Sequence, residues 1–259
     1  MAFTLVGYTQ SVDTSGSLTT IAALADPHVR VVSNDIVVPA DVSNLGHAYA
    51  LGPSITRASI VSPSIRRRYP FELYPTDASA TPSSLPVFNG FASPIALDPD
   101  ESLNAQFAES GAGASRGTVL VWLTDGTYRA DVSDEIFTIR ATGTTTLTAN
   151  AWTNCALTFN DTLPAGEYAI VGMAAFSTGA QAARLVIPQY AWRPGCIAAT
   201  SANTPGASAF RYGNLGVWGT FSHNTPPTVD FLSNSADTAE TIYLDLVMVS
   251  GRLAGTGRM

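Results

Sequence analysis

A serine between two glycines is the first feature of this sequence with a recognisable chemistry. Residues 113–117 read GASRG, which fits the Gly-x-Ser-x-Gly pattern of serine hydrolases. That chemistry requires a sharp strand-to-helix turn that presents the serine to an oxyanion hole. Here Ser115 lies between two predicted strands, and no helix is predicted after it. The pattern therefore predicts a hairpin loop, and we expect no catalytic residue.

Histidines are the next candidates, because paired histidines bind metals. His28, His47 and His223 lie far apart in the sequence and are expected to be ordinary loop or surface residues. The His-x-His ligand motif that tandem cupin enzymes usually carry is missing. We therefore expect no metal and no cofactor.

An acidic run offers the oxygen ligands that calcium prefers. It contains Asp98, Asp100 and Glu101. The matching segment of the second half of the chain, NTPP (224–227), has no carboxylate. A solvated turn before a strand at Leu103 is the favoured interpretation, and bound calcium stays open as the alternative.

Residues 66–68 (RRR) are the densest basic segment. They fit a solvated loop, a contact with acidic groups of a neighbouring subunit, or a phosphate contact. The matching segment 191–193 reads AWR, so Arg193 alone is retained. The net charge of −7 does not favour nucleic acid as the main partner, because phosphate binding needs clustered cations.

Aromatic and sulfur side chains give no clear site. Trp122 and Trp218 lie in predicted strands, where core or interface packing is the common role, although any tryptophan can stack on a sugar. The other tryptophans are Trp152 and Trp192. Cys155 and Cys196 are too few for a disulfide framework or a zinc site, so we expect two free thiols.

Composition predicts a large core and a surface poor in charge. Of 259 residues, 46% are hydrophobic and 13% are charged, which suits extensive contact with other protein surfaces. The length is long for one domain and sufficient for two of about 125 residues. No apolar run is long enough for a membrane-spanning helix, and no secretory signal is expected at the N-terminus.

The chain repeats its own pattern. Residues 107–126 and 231–251 both begin at a phenylalanine, pass through a small polar loop and enter an apolar run led by threonine. Further landmarks keep an offset of about 125 residues, too long for a solenoid repeat. They are Pro63 and Pro188, Asn89 and Asn214, Phe107 and Phe231, and Thr118 and Thr241. The repeating unit is therefore a whole domain.

Each copy reads as short strands separated by turns. The final apolar runs alternate, which predicts one core face and one opposite face. The core face comprises Val119, Val121 and Leu123 in the first copy and Ile242, Leu244 and Leu246 in the second. Trp122 and Asp245 lie on the opposite face, so that face differs between the copies. Residues 17–25 fit a short helix.

Strands at this spacing predict an all-β chain of two tandem eight-stranded jelly-roll sandwiches that arose by internal duplication. The expected domains are residues 1–125 and residues 126–259, the second with a short C-terminal tail.

With these paired landmarks and closing strands, the chain resembles the double-jelly-roll major capsid proteins of tailless icosahedral viruses, among them membrane-containing bacteriophages. The resemblance implies a homotrimer that acts as a pseudo-hexamer and tiles an icosahedral shell. The implied partners are further copies of the chain, penton or minor capsid proteins, and an internal lipid membrane, without sequence-specific nucleic acid. The implied location is the virion, after synthesis in the host cytoplasm.

Two alternatives stay open. One is a two-domain β-sandwich protein that binds carbohydrate or a receptor, which would carry an exposed aromatic platform. The other is a tandem cupin enzyme.

Overall fold

The β-rich pattern of the sequence is confirmed by a computed structural model, which describes residues 1–68, 71–73, 88–110, 113–128, 135–199 and 209–251. Over this part of the chain, the helical segments are α1 (Pro63–Arg68) and a 3₁₀ turn (Ala40–Val42). No helix among these residues is long and apolar enough to cross a bilayer.

The first half of the chain forms two antiparallel sheets. Their order is β1-β11-β5-β8, with β9 also paired to β5, and β3-β4-β10-β6-β7, with β2 also paired to β10. The strands are β1 (Phe3–Val12), β2 (Thr19–Ile21), β3 (Val31–Val32), β4 (Asp35–Val37), β5 (Asn44–Leu51), β6 (Ile55–Val61), β7 (Glu72–Leu73), β8 (Phe88–Asn89), β9 (Ile95–Ala96), β10 (Ser102–Glu109) and β11 (Ser115–Thr124).

The second half forms one continuous sheet that consists of two groups. One group has the order β13-β19-β16-β17, and the other has β18-β15-β20-β12-β14. A short parallel pairing of β17 with β15 joins them. The strands are β12 (Phe137–Gly143), β13 (Trp152–Cys155), β14 (Thr158–Phe159), β15 (Gly166–Phe176), β16 (Ala180–Val186), β17 (Gly195–Ala199), β18 (Gly219–Ser222), β19 (Thr228–Ser233) and β20 (Glu240–Gly251).

Both halves use the same strand order. The first strands, β1 and β12, pair with the last strands, β11 and β20, and these pair with β5 and β15. In the other group, β10 and β19 pair with β6 and β16. The strands β7 and β17 then pair with β6 and β16 on the far side. The observed pairing therefore repeats along the chain in the way that the sequence landmarks do.

Of the sequence landmarks, Phe107 and Phe231 occupy matching positions in this pairing. Asn89 and Asn214 do not, because Asn89 lies in β8 and Asn214 lies in a turn before β18. Phe107 of β10 lies opposite Ala58 of β6, and Phe231 of β19 lies opposite Ala183 of β16. All four side chains are fully buried. Each half therefore places a large ring beside the small side chain of the neighbouring strand, which allows close packing at the same point.

The predicted core faces are confirmed. In the first half they pack in a cluster of first-half residues, and in the second half they belong to a larger cluster that also contains Phe3 and Trp122. The fully buried side chains are Val119, Val121, Leu123, Ile242, Leu244 and Leu246. The sheet β1-β11-β5 is therefore buried on both faces, one against its own sandwich and the other against the second half.

Two local predictions are wrong. Within residues 17–25, Thr19–Ile21 is strand β2, paired with β10, because consecutive β-branched residues fit a sheet better than a helix. The solvated loop, one of the interpretations given for residues 66–68, is also wrong, because these residues end helix α1. Ser62 Oγ accepts a hydrogen bond from the backbone N–H of Ile65 (3.2 Å), and Pro63 is the first helical residue. A serine cap followed by proline is a helix-start signal.

Truncation of matched core residues is expected to destabilise both halves. Leu123→Ala and Leu246→Ala should each cost about 2–5 kcal/mol of unfolding free energy, because each leaves a cavity in a fully buried site. Val249→Ala is the control, since that side chain is exposed. Urea unfolding followed by circular dichroism measures the effect. Variants of Leu123 or Leu246 that unfold at the wild-type urea concentration would contradict the core assignment.

Candidate functional site at the junction of the two halves

The sequence predicted a hairpin loop at Ser115, but the structure places this serine at the beginning of a strand. It is the first residue of β11 and pairs with Val12 of β1, and β11 continues as a strand to Thr124. The strand-to-helix turn that positions a hydrolase nucleophile is therefore not formed at this serine.

The acidic run forms a turn that serves helix α1. The Glu101 carboxylate accepts hydrogen bonds from the backbone N–H of Ser64 (2.9 Å), from the Ser64 hydroxyl and from the backbone N–H of Asp98 (3.2 Å). Asp98 also lies 3.6 Å from Arg67, in an exposed ion pair. Asp100 has a left-handed backbone, with φ of 64°. Among the described residues, no group of three metal-ligating side chains is formed.

The histidines do not converge, and the expectation for one of them is wrong. His223 Nδ1 accepts a hydrogen bond from the backbone N–H of Gly166 (3.2 Å). His28 is exposed and contacts Arg193. His47 is fully buried in β5, not on a loop or the surface, because β5 lies in the sheet that is covered on both faces.

His47 belongs to an aromatic cluster between the halves. Its ring lies 4.7 Å from Trp122, 5.6 Å from Phe91 and 5.8 Å from Phe210, centroid to centroid. Trp122 Nε1 donates to the carbonyl of Gly195 in the second half (2.8 Å). Burial lowers the pKa of His47 to about 3, so the imidazole is neutral. The cluster is therefore an apolar contact in which the histidine acts as a ring.

A buried arginine crosses the same junction. Arg184 of β16 is fully buried and donates from Nη1 to the carbonyl of Leu5 in β1 (3.0 Å) and to the Asp26 carboxylate. Its Nε donates to Asp230 Oδ2 (3.1 Å). The guanidinium carbon lies 4.0 Å from the centroid of the Trp152 ring. One cation thus binds two carboxylates and a carbonyl, with contributions from both halves.

Arg193, the arginine retained from the basic segment, makes a second polar contact across the junction. Its Nη1 donates to the carbonyls of residues 190–192, and its Nη2 contacts His28 Nδ1 (2.9 Å). Because a guanidinium has no acceptor, His28 Nδ1 must accept, which leaves its proton on Nε2. Burial and the two arginines, Arg193 and Arg184, lower the pKa of His28. The ring is therefore held neutral.

The last strands of the two halves, β11 and β20, carry different residues on the face opposite the predicted core face, as the sequence predicted. Trp122 faces the second half, whereas the buried Asp245 carboxylate accepts from Arg211 Nε (2.6 Å) and Nη2 (2.7 Å). Asp245 Oδ2 also accepts from the backbone N–H of Tyr212 (2.9 Å). A side chain at Gly172 would lie 2.5 Å from that oxygen, so the glycine leaves room for the carboxylate.

An exposed apolar patch lies beside the junction. Tyr128, Tyr212 and Val217 are among the exposed large apolar side chains of the described residues. The Tyr128 hydroxyl donates to the carbonyl of Asn214 (3.0 Å), which links Tyr128 to the segment that contains Tyr212 and Val217. Tyr212 is 61% exposed and has φ of 54°, an unusual backbone for a non-glycine residue. Asp245 fixes that conformation, so the ring is held outward.

A buried carboxyl without a cation lies at the start of β20. Glu240 Oε2 is 4.0 Å from Cys155 Sγ, and Oε1 has no hydrogen-bond partner among the described residues. Burial and the nearby Asp237 raise the pKa of Glu240 to about 7. Burial acts to raise the pKa of Asp237, but hydrogen bonds from Ser177, Thr178 and the backbone hold that pKa well below its usual range.

The cysteine prediction is confirmed, since Cys155 and Cys196 are both buried free thiols. Burial raises the pKa of Cys196 to about 12, so that thiol is protonated. Trp122 and Trp218 are buried as predicted, although Trp218 precedes β18 rather than lying in it. Arg184 was not predicted from the sequence, where its one signal is a single charge within the apolar strand AQAARLV.

No protein-family model matches the chain, and no curated protein matches it. Among solved structures, the chain aligns with the crystal structure of the major capsid protein P2 from bacteriophage PM2. The alignment covers 94% of this chain and 98% of that chain, with 11% sequence identity and a TM-score of 0.24. A TM-score this low does not establish a shared fold or function.

The junction is expected to depend on Arg184. Arg184→Met should cost about 3–5 kcal/mol of unfolding free energy, because it leaves Asp26 and Asp230 buried without their cation. The control is Arg57→Met, which removes an exposed ion pair with Glu72 and should change stability little. Urea unfolding at neutral pH compares the two variants. Equal losses of stability would contradict the role of Arg184.

Glu240 is expected to make stability depend on pH. Its pKa is 4.5 in the reference state and about 7 in the fold, so its favourable contribution is full below about pH 4.5 and is lost as pH rises through about 7. Glu240→Gln removes this titration. The melting temperature of the variant relative to wild type should therefore rise between pH 5 and pH 8, measured by calorimetry. A constant or falling difference would refute the assignment.

Proposed function

We propose that the chain is a viral capsid protein built from two jelly-roll units, residues 1–125 and 126–259. The observation that carries the proposal is the strand order shared by the two halves. Each half has eight principal strand positions, numbered along the chain. The first, eighth, third and sixth positions pair in that order in one group, and the second, seventh, fourth and fifth pair in that order in the other. This alternation between two groups of strands is the connectivity of a jelly roll, a fold common in viral capsid proteins.

The duplication has a physical use in a shell. Three chains with two similar units each place six similar units around one axis. A trimer can then occupy a hexagonal position in an icosahedral lattice. The contacts across the junction, through Arg184 and the aromatic cluster, favour two units that act as one rigid building block. The proposed role is thus structural and pseudo-hexameric, with no catalytic residue, metal or cofactor.

The patch beside the junction is the proposed trimer contact. Tyr128, Tyr212 and Val217 offer an apolar centre, and Arg211 stacks on Tyr212 with its guanidinium carbon 4.5 Å from the ring centroid. Aromatic residues and arginine are enriched at protein interfaces, and stable interfaces bury more than about 1,000 Å². The low charge of the chain supports further contacts between capsomers.

The remaining partners follow from the proposed role. They are other virion proteins, such as penton or minor capsid proteins, and a lipid membrane beneath the shell. The protein would reside in the virion after synthesis in the host cytoplasm. Sequence-specific nucleic-acid binding is not part of the proposal, because the net charge is −7.

The purified chain is expected to be a trimer. Multi-angle light scattering should give about three times the chain mass of 27.1 kDa. Tyr212→Ser combined with Val217→Ser should shift the population to monomer, because both remove apolar contact area. Val32→Ser is the control, an equally simple change at an exposed valine on β3. A stable wild-type monomer at micromolar concentration would overturn the capsid proposal and favour a two-domain carbohydrate- or receptor-binding protein.

A further inference from the structure

An open cavity of about 400 Å³ lies where the first half covers the outer side of the strands β13, β16 and β19. Pro27 and His28 come from the first half, and Trp152, Asn154, Thr228 and Asp230 come from the second. The volume is within the range of small-molecule sites, about 300–1,000 Å³. The cavity therefore has the size of a ligand site, with walls from both halves.

The polar groups that line the cavity include hydrogen-bond donors and an acceptor that are still free. The Asn154 amide donates its two protons to Thr228 Oγ1 (2.9 Å) and Asp230 Oδ1 (2.8 Å), which leaves its carbonyl oxygen as an acceptor. Thr228 accepts that bond through its oxygen and keeps its hydroxyl proton to donate. His28 keeps its Nε2 proton, because its Nδ1 accepts from Arg193. The cavity thus presents two neutral donors and a neutral acceptor.

The charges around the cavity are already matched. Asp230 is paired with Arg184, and Arg184 is shared with Asp26. Arg193 is bound to three backbone carbonyls and to His28. A free anion would meet the Asp230 carboxylate, and a free cation would meet two arginines nearby. A neutral ligand avoids both conflicts.

The remaining lining is apolar. Trp152, Pro27 and Val186 contribute an indole, a proline ring and a branched side chain. The Trp152 ring is supported by the Arg184 guanidinium, 4.0 Å from the ring centroid, which restrains its orientation. A rigid aromatic ring beside planar amide and imidazole groups suits a ligand with apolar C–H groups and hydroxyls that both donate and accept.

We propose that this cavity binds a neutral saccharide ring, which packs its C–H face on the apolar wall and directs hydroxyls to Asn154, Thr228 and His28. The site is distinct from the patch of Tyr128, Tyr212 and Val217. It does not depend on the capsid proposal, since a monomer would contain the whole cavity. In a shell, the same site would give the particle a means of holding surface glycans.

The experiment uses the purified full-length chain and saturation-transfer NMR with methyl glycosides. The neutral probes are glucose, galactose, mannose and N-acetylglucosamine glycosides, and the charged probes are N-acetylneuraminic acid and glucosamine. At least one neutral glycoside should bind with millimolar affinity. Thr228→Val and Asn154→Ala should each weaken it about three- to tenfold, the loss expected for one neutral hydrogen bond.

Matched controls exist on the same half. Thr158→Val and Asn160→Ala change exposed residues that do not line the cavity and should leave binding unchanged. Melting curves check that each variant folds. The proposal is overturned if no neutral glycoside binds, if only the charged probes bind, or if Thr228→Val and Asn154→Ala behave like their controls. Saccharide binding by a monomeric chain would support the saccharide proposal and would refute only the capsid proposal.

Discussion

One buried guanidinium organises the junction between the two halves. Arg184 lies on a strand of the second half, yet it needs Asp26 and the Leu5 carbonyl of the first half in addition to Asp230. A buried cation without its carboxylates is very costly, so the two halves are held together by this requirement. The segment that carries Asp26 is thereby fixed over β13 and β19, and the same placement creates the cavity and the contact of His28 with Arg193.

The junction also accounts for the difference between Trp122 of β11 and Asp245 of β20. The second half covers the outer side of the sheet β1-β11-β5, so Trp122 of β11 is buried against the second half. Gly7 of β1 allows this approach, because a side chain there would lie 3.3 Å from Leu232 of the second half. The equivalent face of the second half instead carries Asp245 and holds Tyr212 outward. One copy thus provides an internal contact and the other an exposed patch.

Features with a strong local period could be predicted from the sequence. The alternation of Val119, Val121 and Leu123 identified a buried face, because the side chains of a strand alternate between two sides. The environment of His47 could not be predicted. Its burial depends on which surface of β5 the second half covers, and that is a contact between segments far apart in the chain. Arg184 was missed for the same reason, since its carboxylates come from positions more than 40 residues away on either side. Residues 17–25 fitted a short helix by their local pattern, because the pairing of β2 with β10 is likewise non-local and does not show in that pattern.

The central claim is that two equivalent units in one chain serve a pseudo-hexameric shell. Cryo-electron microscopy of the native assembly tests it most directly, because it resolves both the units and the symmetry that relates the chains. We expect particles in which three chains surround a threefold axis, with six β-sandwiches in a ring and Tyr212 at a contact between chains. Isolated single chains, or a ring in which the two halves of each chain do not alternate, would contradict it.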